Sequence, residues 1–159
     1  MTRLLTPILI LALAACDKTH IIDDEAARLR GDYPVQTYII NDDTLYSAGK
    51  INKIGVSEFK VAISRKTADT LSIGYFWAQG PKSGSLFVRQ LQLSGHDGQY
   101  QLTMALKAPL FHEGTISGNV YTERTSLAGA GFVLLPKGYQ PNEVSDPTGG
   151  TIKIVAQKQ

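Results

Sequence analysis

Glu58-Phe59-Lys60-Val61-Ala62-Ile63-Ser64 and Leu71-Ser72-Ile73-Gly74-Tyr75-Phe76-Trp77 decide the fold class. In the first stretch Phe59, Val61 and Ile63 fall on alternate positions; in the second, Leu71, Ile73, Tyr75 and Trp77 do. A period of two puts those side chains on one face of an extended chain, so each stretch reads as a strand with one buried face. Arg65-Lys66-Thr67-Ala68-Asp69 between them is short and polar, the composition of a hairpin loop.

Toward the C-terminus the pattern repeats. Leu86 to Leu93 and Tyr100 to Leu106 flank Ser94-Gly95-His96-Asp97-Gly98-Gln99, whose glycines admit the positive φ of a tight turn. In the first of these strands the apolar positions are Leu86 and Val88, then Leu91 and Leu93. That change of parity predicts one extra residue, a β-bulge, near Arg89-Gln90. Further strands are expected at 33–40, 44–46, 115–122, 131–135 and 151–156, separated by the Pro- and Gly-bearing segments 109–114, 128–131 and 136–150. No helical period of useful length follows Arg30. About eight antiparallel strands joined by hairpins make an all-β domain, and a meander of this kind closes naturally into an antiparallel β-barrel. An immunoglobulin-like or other Greek-key β-sandwich is the alternative.

Before the first strand, residues 23–31 offer aspartates for an N-cap, acidic residues in the first turn, Arg28 and Arg30 in the last, and Gly31 beyond. One or two helical turns are expected, with Leu29 packed on the domain. This turn leading into Gly31-Asp32-Tyr33 resembles the start of the lipocalin-like (calycin) β-barrels. There a short helix caps one barrel end, and an aromatic two positions after a glycine packs beneath it. Tyrosine stands here where tryptophan is usual.

The chain opens with Met1-Thr2-Arg3, followed by an apolar run from Leu4 and small residues up to Ala15, the three parts of an export signal. The run is too short for a spanning helix, which needs about 20 apolar residues. Leu13-Ala14-Ala15-Cys16 resembles the lipobox of bacterial lipoproteins. That resemblance implies diacylglyceryl transfer to the thiol of Cys16, cleavage before it, and a further acyl chain, a palmitate for example, on the new amino group. Residues 1–15 are then a lipoprotein signal peptide, 16–22 a lipidated tether and 23–159 a single β-rich domain. The expected location is the bacterial cell envelope, anchored to a membrane through the N-terminal lipid. Both the periplasmic face and the cell surface stay open, because Asp17 is a retention signal only in some bacteria.

With 16 Lys and Arg against 14 Asp and Glu, scattered along the chain, no field favouring nucleic acid arises. The histidines, His20, His96 and His112, fall in the tether, a turn and a loop, without the spacing of metal ligands. No Gly-x-Ser-x-Gly is present and the one thiol is committed to lipid. Glu58, Glu113, Glu123 and Glu143 fall at strand ends or in loops, where a solvated carboxylate is the ordinary expectation. The chain therefore reads as a non-enzymatic protein with no cofactor and no metal. Its aromatics are more suggestive: Tyr75, Trp77 and Tyr100, with the aliphatic Leu102 and Met104, are candidates for a pocket that takes a small apolar or amphipathic ligand, or else for plain core. Phe76 points to the other face, a candidate patch for an envelope protein partner in a structural or protein-interaction role. Asp43-Thr44-Leu45 and Asp69-Thr70-Leu71 resemble the O-glycosylation sequon of exported Bacteroidota proteins, which marks Thr44 and Thr70.

Overall fold

The computed structural model describes residues 22–80, 84–138 and 148–159. The signal segment, Cys16 and the tether up to residue 21 lie outside them, as does Glu143. The elements are α1 (Glu25–Arg28), β1 (Gly31–Ile40), β2 (Asp43–Ser47), β3 (Ile51–Asn52), β4 (Glu58–Arg65), β5 (Thr70–Ala78), β6 (Gly84–His96), β7 (Gln99–Thr103), β8 (His112–Ser117), β9 (Val120–Ser126) and β10 (Thr151–Gln157).

The sheet runs β10-β9-β8-β7-β6-β5-β4-β1, and β1 pairs back onto β10, so eight antiparallel strands close into a barrel. The barrel, not the sandwich, is the architecture. Closure runs through β1, whose residues Gly31 to Pro34 pair with β4 while Val35 to Ile40 pair with β10. The register of β1 shifts between Val35 and Thr37, and such an irregularity lets one strand bend between two neighbours. The short hairpin β2–β3 hangs on the outside, paired to the second half of β1.

The alternation in β4 and β5 does what the sequence pattern predicts. Val61, Ile63, Leu71, Ile73 and Tyr75 are all buried, and with Tyr33, Tyr38, Leu102, Tyr121 and Ile154 they fill the barrel. Three expectations need correction. The β5–β6 ladder is regular from Thr70↔Gln92 to Ala78↔Gly84, so β6 has no bulge at Arg89-Gln90. Instead Arg89 is buried inside, continuing the inward parity of Leu91, while Leu86 and Val88 stay outside at 62% and 51% exposure. Residues 115–122 are not one strand but the end of β8, a turn at Gly118-Asn119 and the start of β9, with Gly118 at positive φ. Residues 131–135 pair into no strand; Phe132 and Leu134 are buried and Val133 exposed, so one-sided burial alone produces their alternation.

The two barrel ends differ. At one, α1 is capped by Asp24, whose carboxylate accepts from the Ala27 N–H at 2.8 Å and from Arg65. Ala26 and Leu29 are buried there, and the Tyr33 hydroxyl donates to the Leu29 carbonyl at 2.9 Å. Lys158 donates to the Arg30 carbonyl at 2.6 Å and lies over the Tyr33 ring. At the other end, residues 127–138 fold across the opening, starting with a 3₁₀ turn at Leu127–Gly129.

Candidate functional site: a buried polar cluster beneath an aromatic lid

Inside the barrel, four strands turn polar side chains to one place. Tyr75 comes from β5, Arg89 from β6, His112 from β8, and Tyr121 and Glu123 from alternate positions of β9. Burial of Tyr75, Tyr121 and Glu123 is complete, and the Arg89 side chain is only 5% exposed. One oxygen of Glu123 accepts from the guanidinium of Arg89, and the other accepts from the hydroxyls of Tyr75 and of Tyr121, the latter at 2.6 Å. The Tyr75 oxygen in turn accepts from Arg89 Nε at 2.9 Å and Nη2 at 2.6 Å. Arg89 also lies 4.8 Å from the centre of the Tyr75 ring.

This accounting is complete for Glu123 and incomplete for two other groups. A guanidinium carries five N–H donors; those on Nε and Nη2 are used, and Nη1 is buried without a partner. Both ring nitrogens of His112 are buried and unpartnered as well, with Nε2 at 3.6 Å from Glu123, beyond hydrogen-bonding reach. Unmade bonds of this kind are costly in an interior.

The protonation states follow from burial and neighbours. Burial pushes the Tyr75 and Tyr121 hydroxyls well above the usual phenol range, and the negative charge of Glu123 adds to this, so both remain donors. Burial opposes the charge of Arg89, but Tyr75 and Glu123 beside it outweigh that and push its pKa up. Burial holds His112 below its ordinary range, which Glu123 only partly offsets, so the ring is neutral at pH 7.

Phe132 covers this cluster on the side away from α1. Its ring lies 4.6 Å from the Tyr75 ring, 5.6 Å from Phe87 and 5.5 Å from Trp77, on which it stacks. Leu134 follows it inward, and its N–H donates to the buried Tyr38 hydroxyl at 3.0 Å. Gly131 takes φ +75, and a Cβ there would collide with the Phe87 ring, so glycine lets the segment dip into the mouth. The lid is thus seated by side chains, with no ladder along 131–138.

Of the residues singled out from sequence, Tyr75 lies in the cluster, and Trp77 reaches it through Phe132. Leu102 is fully buried and Met104 half-buried against the core. Tyr100 belongs to the α1 end, where its hydroxyl bonds Glu25. Phe76 faces outward beside Gly84, with Lys60 5.3 Å over its ring. Its ladder partner Leu86 and nearby Val88 extend that patch.

Glu123, expected as a solvated carboxylate, and His112, expected in a loop, are buried strand residues here. Arg89 was not anticipated as a site residue at all. The available signal was parity: Glu123 stands two positions from Tyr121, which places both on one face of β9. His96, by contrast, is exposed and bonded to Asp97. Among the described residues no three His, Cys, Asp or Glu side chains gather as metal ligands would. Comparison with protein-family models, with curated proteins and with solved structures found no match to this chain.

Proposed function

We propose that this is a lipid-anchored, non-enzymatic protein of the bacterial cell envelope whose lipocalin-like barrel binds a small amphipathic ligand. The observation that carries the reading is the incomplete cluster: a charged pair at the heart of a barrel, with unpartnered donors on Arg89 and His112, under a lid held by Phe132 and Leu134. The barrel is filled by its own side chains in this conformation, so the ligand's apolar part takes the place of Phe132 and Leu134 when the lid swings out. Its polar part then reaches the cluster. Anchoring through Cys16, outside the described residues, keeps the barrel beside a bilayer, the source of such molecules.

The test is native mass spectrometry of the lipidated protein extracted gently from its own membrane. A non-covalent mass of a few hundred daltons beyond the acylated polypeptide is expected; a population carrying only the acyl chains refutes the reading. A second role is favoured by one separate observation, the outward strip of Phe76, Leu86 and Val88, which suits an envelope protein partner.

A further inference from the structure

Resting on the ligand-binding reading above, we infer that the head group received by the cluster is uncharged and carries a hydrogen-bond acceptor, such as a ketone or ester carbonyl, in preference to a free carboxylate. The argument is one of charge and donor count. Arg89 supplies the only side-chain cation of the cluster, and Glu123 already accepts from it and from two phenols. The pair is neutral together. What remains unmade is mostly donation: two hydrogens on Arg89 Nη1 and one on the neutral His112 ring, against a single acceptor, the other nitrogen of that ring.

A carbonyl oxygen accepts from donors of this kind and adds no charge. A carboxylate accepts from them too, but it places a second negative charge beside Glu123 in a buried site, where like charges are only weakly screened. No other group is positioned to compensate. β5 contributes Tyr75, β9 Tyr121 and β1 Tyr38, all phenols held protonated by burial. β4 and β10 turn Val61 and Ile154 inward, and β7 turns Leu102 inward, its Tyr100 being bonded to Glu25 at the α1 end. Only protonation of His112 supplies a second cation, and burial disfavours it. An acidic amphiphile therefore binds as the neutral acid or with uptake of a proton, and loses affinity as pH rises.

The experiment uses Trp77, the sole tryptophan, which stacks on the lid phenylalanine and reports its displacement. Fluorescence titrations compare 2-undecanone with decanoate, chains of similar length, at neutral pH and near pH 5. At neutral pH the ketone is expected to bind at least about tenfold more tightly, the step that one uncompensated charge readily produces. The gap closes near pH 5 as the acid takes up a proton. Glu123→Gln frees the charge of Arg89 and is expected to reverse the preference toward decanoate. Decanoate binding as tightly as the ketone to the unmodified protein at neutral pH overturns the inference while leaving the ligand-binding reading intact. Binding of neither compound, together with the absence of a co-purifying mass, overturns both. If Glu123→Gln does not fold, the comparison on the unmodified protein still decides.

Discussion

Removing Arg89 and Glu123 singly and together separates what the cluster does for stability from what it is for. Arg89→Met leaves the Glu123 carboxylate fully buried without its cation, and Glu123→Leu leaves a guanidinium that is only 5% exposed without its anion. Stripping one partner from a buried pair costs about 3–5 kcal/mol. That is a large share of the roughly 5–15 kcal/mol that holds a domain of this size. The double variant Arg89→Met/Glu123→Leu removes both desolvation penalties and fills the space with hydrocarbon, a change that ranges from neutral to about 4 kcal/mol stabilising. Against this, the hydroxyls of Tyr75 and Tyr121 lose their acceptor. They stand 3.0 Å apart, so one bonds the other and a single hydroxyl hydrogen is left unmade, at about 1–3 kcal/mol. The double variant should therefore lie within about 3 kcal/mol of the parent, with a coupling energy of several kcal/mol between the sites. Urea denaturation followed by Trp77 fluorescence measures all four corners of this cycle. Loss in the double variant equal to the sum of the two single losses would refute the reasoning, because the pair would then be no unit. Near-parental stability with ligand binding abolished would show a cluster kept for recognition.

Lowering pH should weaken the fold through His112. Its folded pKa is depressed below the unfolded value of about 6.5, so its contribution is present above that value and is lost as pH falls through it. Replacing His112 by Gln should flatten that part of the stability profile, and an unchanged slope would show that the ring is not the group responsible. Leu102→Ala, in a fully buried position, should cost about 2–5 kcal/mol by denaturant titration, and an unaltered midpoint would mean that the site is not packed. Leu86→Ser on the outer strip should change stability by less than about 0.5 kcal/mol by denaturant titration; a large stability loss would place Leu86 inside. Cys16→Ser should abolish incorporation of labelled fatty acid and leave the precursor uncleaved, whereas normal processing would contradict the lipid anchor.

The parts of the fold written in local alternation were legible. Phe59, Val61 and Ile63, and Leu71, Ile73 and Tyr75, point where a period of two sends them, and the helical turn at Asp24 and the loop at 65–69 stand where caps and polar residues put them. The site was mostly illegible because it breaks the assumption behind that method, that inward positions are apolar. Arg89 occupies an inward position, so its parity read as a bulge and the outward Leu86 and Val88 as core. A buried charge is tolerated only through its partner, and Glu123 lies on β9, far from β6 in sequence. Strand parity could have placed Glu123 inside the barrel, but nothing local to it names Arg89 as the other half. Phe132 and Leu134 show the converse limit: their alternation is real, yet it records a lid pressed on an apolar mouth, and no ladder follows from it.

The location of the ligand's polar end is open to direct observation by NMR of the protein labelled with ¹⁵N in arginine only. Addition of a bound neutral amphiphile should move the Arg89 side-chain resonances and slow the exchange of its Nη1 hydrogens, while the signals of the exposed Arg28 and Arg124 stay in place. Saturated binding with the Arg89 resonances unmoved would contradict the account, since the ligand would then sit somewhere other than on the cluster.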